Sequence, residues 1–232
     1  MKTRNVLLMM CCVVSLGISA QVVKEKQTVT SFDKIASSSG IDVYFTQGNS
    51  YSLEIETVAE NMPKIDVTVK EGKLELKRKK GENFARNTQI KAYVTAPTLS
   101  AIGMSGGADF SAQKLAAGKS INIAASGGAD VEIDDLSADE CKIAFSGGAD
   151  CEIKRFKGKN LTLAFSGGSD GKVSQADVDN LTAAASGGAD LIISGNVKNA
   201  IVSASGGADI NISQLTAGNV VANKSGGGDI KR

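Results

Sequence analysis

Seven aspartates recur at almost constant spacing: Asp109, Asp130, Asp150, Asp170, Asp190, Asp209 and Asp229, each closing the phrase Ser-Gly-Gly-Ala-Asp or a near copy of it. Glycine beside acid suggests two chemistries, a phosphate cradle or a metal loop. A phosphate loop occurs once, ahead of a helix, and brings a lysine or a helix N-terminus to the anion. This phrase occurs seven times and brings a carboxylate. A cation, most naturally Ca²⁺, shared between successive carboxylates and turn carbonyls is one reading. Calcium-binding rolls, however, use a Gly-Gly-x-Gly-x-Asp nonapeptide, and here no glycine stands two residues after the pair. In a second reading, each carboxylate accepts hydrogen bonds from backbone N–H groups or from the serine of its own or a neighbouring phrase. In a third, the acidic strip itself contacts a ligand. Something must offset the mutual repulsion, roughly 1 kcal/mol for unit charges about 5 Å apart in water. No catalytic or cofactor-binding residue and no firm metal ligand is assigned; the calcium ladder along the seven aspartates stays as the minor alternative to the hydrogen-bonded reading.

Catalysis has little to work with. The chain has no histidine, which removes the commonest general base and the commonest transition-metal ligand. A glycosidase needs two carboxylates in different environments across a cleft, and a lyase needs a base near bound metal. Acids repeated identically on every unit cannot easily have their pKa values pushed apart. Ser146 and its equivalents lack a base to activate them.

The elements that position the phrase follow from its period. Its serines stand at Ser105, Ser126, Ser146, Ser166, Ser186, Ser205 and Ser225, with spacings of 21, 20, 20, 20, 19 and 20 residues. That is too short for a helical pair or a propeller blade and suits one coil of a β-solenoid. Five, three and one residues before the serine stand apolar or small residues, as in Cys141, Ile143, Phe145 and Leu161, Leu163, Phe165. Strict alternation puts them on one face of a strand, directed inward. A second pair follows the aspartate (Val131 and Ile133, Leu191 and Ile193), and a third inward column runs through Leu115, Leu136, Phe156, Ala176 and Leu215. Stacked at coil spacing, seven copies make a prism roughly 30 to 35 Å long. The paired glycines supply corners that need φ > 0 or close backbone approach. A helical reading fails because Gly-Gly would break each helix and the apolar spacing is two.

Residues 21–98 alternate less regularly. Strands are expected around Gly40–Phe45, Ser52–Glu56, Ile65–Lys70, Lys73–Lys77 and Ile90–Thr95, with a tight turn at Glu71-Gly72 and a stop at Pro97. Lys77, Arg78, Lys79 and Lys80 form the only dense basic run, read as a solvated loop or as a contact for an acidic glycan or phosphate. The organisation expected is one domain over residues 21–232, with irregular N-terminal coils over 21–98 and seven regular coils over 99–232.

Residues 1–20 read as a secretory signal peptide, with Lys2 and Arg4 ahead of an apolar run and Ile18-Ser19-Ala20 as the cleavage site before Gln21. A lipoprotein signal using Cys11 or Cys12 is the competing reading, weakened by the short apolar run before Cys11. No later run approaches the roughly 20 apolar residues of a membrane span. The net charge of +1 among 232 residues argues against nucleic acid as a partner. Cys141 and Cys151 would remain after cleavage. Both occupy inward columns, as buried thiols by default, with a disulfide or a reactive or metal-binding role as alternatives. In the last coil Lys224 falls on an inward column and the chain runs out through Asp229-Ile230-Lys231-Arg232, charges that discourage edge-to-edge growth unless another subunit covers that edge.

The repeated Ser-Gly-Gly-Ala-Asp, preceded by Ser39-Gly40-Ile41-Asp42-Val43-Tyr44-Phe45-Thr46-Gln47-Gly48, resembles the auto-transporter adhesin "head GIN" domain proteins of Bacteroidota-type bacteria, over residues 29–230. The resemblance implies an all-β, single-stranded right-handed parallel β-helix, export to periplasm, cell surface or medium, and an adhesin role, with no catalytic residues to carry over. The expected function is an exported non-catalytic adhesin or surface binding module whose partner is a glycan or surface protein. The alternatives are an envelope-structural or self-assembling solenoid forming homo-oligomers, and, less favoured, a polysaccharide-acting enzyme.

Overall fold

The computed structural model describes residues 21–85 and 88–232; the signal-peptide reading therefore lies outside the described residues. The chain forms one sheet of sixteen strands wound into stacked coils, the expected β-solenoid. The strands are β1 (Val22–Gln27), β2 (Lys34–Ser38), β3 (Ile41–Gln47), β4 (Ser52–Val58), β5 (Ile65–Lys70), β6 (Lys73–Arg78), β7 (Ile90–Ala96), β8 (Ala101–Ser105), β9 (Phe110–Gly127), β10 (Val131–Gly147), β11 (Cys151–Gly167), β12 (Asp170–Gly187), β13 (Asp190–Ala204), β14 (Asp209–Asn211), β15 (Leu215–Lys224) and β16 (Asp229–Lys231).

From β8 onward every pairing is parallel and like residues stack on like. Cys141 faces Leu161, Ile143 faces Leu163, Phe145 faces Phe165 and Ser146 faces Ser166. The Phe145 and Phe165 rings stack at 5.2 Å, and all three inward columns are buried until the last coil, where Leu215 is half-buried. The alanine of the phrase is a fourth inward position: Ala108, Ala129, Ala149, Ala189 and Ala208 are fully buried. Where Ser169 replaces it, the hydroxyl donates to the Ser166 carbonyl at 3.0 Å and accepts from the Ser166 N–H at 3.1 Å. The two off-length coils adjust near the third column. The 21-residue coil places Ala117 opposite nothing between the pairs Ser137–Ala116 and Ala138–Gly118. The 19-residue coil skips one residue between Val173–Ile193 and Ala176–Gly195.

The corner geometry explains the first glycine of each phrase. Its φ lies between +60° and +80° in all seven copies, a region costly for a residue with Cβ. The copies also pack backbone on backbone: the Gly148 N–H donates to the Gly127 carbonyl at 2.8 Å and the Gly168 N–H to the Gly147 carbonyl at 2.8 Å.

The N-terminal third stacks out of chain order. β2 lies between β6 and β8, and β3 between β7 and β9, all parallel. The chain thus lays down one coil with β2 and β3, leaves it, returns one layer farther out as β6 and β7, and steps over the first coil to β8. Beyond that layer the pairing turns antiparallel, β5 on β6, β4 on β7 and β1 on β4. Glu71 (φ 52) and Gly72 (φ 72) make the β5–β6 turn, and β7 stops before Pro97.

Candidate functional site: the aspartate corner and its outer rows

The seven aspartates of the phrase line one corner and are all exposed. In the first coils each carboxylate ties its coil to the next. Oδ1 of Asp109 accepts the Asp130 N–H at 3.0 Å, Oδ1 of Asp130 the Asp150 N–H at 3.3 Å, and Oδ1 of Asp150 the Asp170 N–H at 3.0 Å. The same bond starts one coil earlier, from the Asp109 N–H to Oδ1 of Asp42 at 3.3 Å. Toward the C-terminal end the aspartates enter the strand ladder, and a carbonyl takes over as acceptor: Asp209 donates to Ala189 and Asp229 to Ala208, each at 3.1 Å. None of the phrase serines bonds to an aspartate among the described residues.

Asp42 belongs to an eighth, disguised copy of the phrase. Ser38 is in register with Ser105, Ser39 (φ 63) and Gly40 (φ 69) repeat the backbone of Gly106 (φ 60) and Gly107 (φ 69), and Ile41 is buried as Ala108 is. The pattern Ser-x-Gly-x-Asp in the sequence carried this signal, masked by a serine in a left-handed position that usually takes glycine.

Burial, with Asp109 adding to it, raises the Asp42 carboxyl above its ordinary range, against the bond from the Asp109 N–H. Burial likewise raises Asp130, whose neighbours Asp109 and Asp150 add to the effect while the Asp150 N–H opposes it. Asp229 is lowered instead, by its bond from Lys224. A calcium ion takes about six to eight oxygens. The corner supplies one carboxylate per coil, four of them with an oxygen already engaged by an N–H, and among the described residues no three Cys, Asp or Glu side chains converge on one point.

Two outer rows flank the corner. Ahead of it, Ala124, Ala144, Ala164 and Ala184 with the phrase serines line a shallow trough of about 830 Å³. Behind it runs a row in continuous register: Tyr93, Tyr44, Ser111, Glu132, Glu152, Lys172, Ile192, Asn211 and Lys231.

Residues 31–154 and 141–231 match the family described as "Putative auto-transporter adhesin, head GIN domain". The chain belongs to this family. The head GIN fold recurs in solved structures: a "putative adhesin" from Bacteroides fragilis (TM-score 0.76, 22% identity, 92% of this chain and 97% of that one) and another from Parabacteroides distasonis (TM-score 0.77, 14% identity, 92% and 98%). A protein of P. distasonis named "Putative lipid binding protein" has the same fold (TM-score 0.72, 16% identity, 92% and 97%). No curated protein matches.

Other rows of this head GIN domain were not singled out by its repeat. Asn160, Asn180, Asn199 and Asn219 form an amide ladder, the Nδ2 of each of the last three donating to the Oδ1 of the coil before at 2.9 to 3.0 Å. Ion pairs bridge coils, Lys154 to Glu132 and Asp134, and Lys172 to Glu152. Equal spacing of Asn and of opposite charges near 20 residues was the available signal. Cys141 and Cys151 are buried and free, and burial pushes the Cys141 thiol up to about 12. Lys224 is exposed and paired to Asp229. Of the basic run, Lys77 pairs with Glu75 and Asp66, Arg78 lies 4.6 Å over Phe84, and Lys79 donates to the Pro63 carbonyl.

Proposed function

We propose that this protein is an exported, non-catalytic adhesin-type module that offers the outer rows of its prism to a glycan or surface protein. The observation that carries this reading is the extended, partly to fully exposed, in-register row behind the aspartate corner, which repeats polar groups at coil spacing from Tyr93 to Lys231 with Ile192 the one apolar member. Repetition favours binding of an extended partner through many weak contacts. What supports a non-catalytic role is that no phrase serine has a basic partner among the described residues. A lipid-binding role has less support, because the interior columns are filled by side chains. The test is a glycan-array and cell-binding assay with residues 21–232. Binding above background is expected; its absence in both formats would remove the reading.

One observation favours a second, self-associating role. Leu215, Ala217, Val220 and Ala222, inward residues of the last full coil, are only partly buried, and β15 pairs only with β13 among the described residues. Light scattering decides: a monomer at high concentration speaks against assembly.

A further inference from the structure

Three tyrosines are the chain's largest polar-tipped aromatics, and two of them make a pile. The Tyr93 and Tyr44 rings stack at 5.5 Å with 26° between planes. Lys24 Nζ lies 4.2 Å from the Tyr93 centroid, while its salt bridge to Glu54 at 3.1 Å fixes it there. The pile is therefore closed by an ammonium at the Tyr93 end. At its other end, Tyr44 is 39% exposed, and the next position of the row is Ser111, a side chain too short to cover a ring. The row resumes one coil later at Glu132, held by Lys154 at 3.0 Å.

This arrangement leaves a slot one residue deep. Its floor is Ser111, one wall is the open face of Tyr44, and the other is the Glu132–Lys154 ion pair. Two coil spacings separate the walls, roughly 9 to 10 Å. That gap accepts one ring at the contact distance of about 4 Å from Tyr44. Asp109, just ahead of the strand and with its second carboxylate oxygen left over from the Asp130 N–H, and Gln113, on the strand, flank the floor with acceptors. An aromatic side chain would use the wall and leave those acceptors with water. A sugar ring uses both, laying its C–H face on Tyr44 and donating its hydroxyls to the flanks. Asp42, Asp109 and Asp130, none of them in an ion pair among the described residues, edge the slot with negative charge, whereas Glu132 is neutralised by Lys154; the balance disfavours uronates and sulfated sugars.

We propose that Tyr44, Ser111 and Glu132 form a subsite for one pyranose ring of a neutral glycan. The subsite rests on the surface-binding reading and names the class of its partner.

The experiment follows intrinsic tyrosine emission, since the chain has no tryptophan, during titration with a panel of neutral oligosaccharides and, in parallel, with uronate and sulfated ones. Neutral members should quench the emission and anionic members should bind at least severalfold more weakly. Tyr44→Ala should weaken binding about two- to tenfold. Ser111→Phe should abolish it by filling the slot while keeping Tyr44. Tyr51→Ala removes the exposed tyrosine that packs on Phe32 and should bind as the parent does. Circular dichroism melts check that each variant folds. Should Ser111→Phe bind a neutral glycan as well as the parent, or should every neutral glycan fail, the subsite is wrong. The surface-binding reading falls only if cell binding is also lost.

Discussion

Asp130 stands exposed between two other carboxylates, and its raised pKa fixes the sign of its effect on stability. The folded chain binds that proton more tightly than the unfolded chain does, so stability falls as pH rises from the ordinary carboxylate range through the raised value. The same holds for Asp42. Asp130→Asn keeps an oxygen for the Asp150 N–H and removes the charge. It should stabilise the fold at neutral pH by about 0.5 kcal/mol, allowing for screening, and the gain should vanish in acid, as read by thermal melts across pH. Asp150→Ala removes the acceptor of the Asp170 N–H and should instead destabilise by about 1 kcal/mol. At this scale the sequence marks the residues but not their partners. Only the coil-to-coil register puts the carboxylate of one phrase beside the N–H of the next, and only three strands distant in sequence bring Tyr93, Tyr44 and Ser111 into one row.

The corner is where sequence and element agree most closely. A β-carbon on Gly147, at φ 79, would lie 3.1 Å from the Gly127 nitrogen and 3.2 Å from its carbonyl oxygen, whereas one on Gly128 would meet nothing within 4 Å. Gly147→Ala should therefore cost upward of about 1 to 2 kcal/mol, and Gly128→Ala should cost about half a kcal/mol or less; chemical denaturation of the pair measures the difference. The strict alternation of Leu161, Leu163 and Phe165 made their inward direction legible before any coordinates. The β2–β3 coil was harder to read. Ser39 stands where glycine is expected, and the long excursion through β4, β5 and β6 hides the fact that β8 stacks on β2.

For the molecule as a whole, the period near 20 residues was enough to read a solenoid from Ser105 onward, because each coil buries its apolar columns against its neighbours. The stacking of the N-terminal third was not readable, since antiparallel β1, β4 and β5 leave no repeat and their place depends on pairing across the chain. The central claim joins the scales: in the first coils the aspartates Asp42, Asp109, Asp130 and Asp150 are fasteners between coils that work through backbone N–H groups and need no cation. Thermal melting of residues 21–232 in chelator and in millimolar Ca²⁺, with Asp150→Asn in parallel, tests it most directly. The account predicts the same melting temperature with and without Ca²⁺, and Asp150→Asn melting close to the parent under both conditions. A rise of several degrees with Ca²⁺ in the parent that disappears in Asp150→Asn would contradict it.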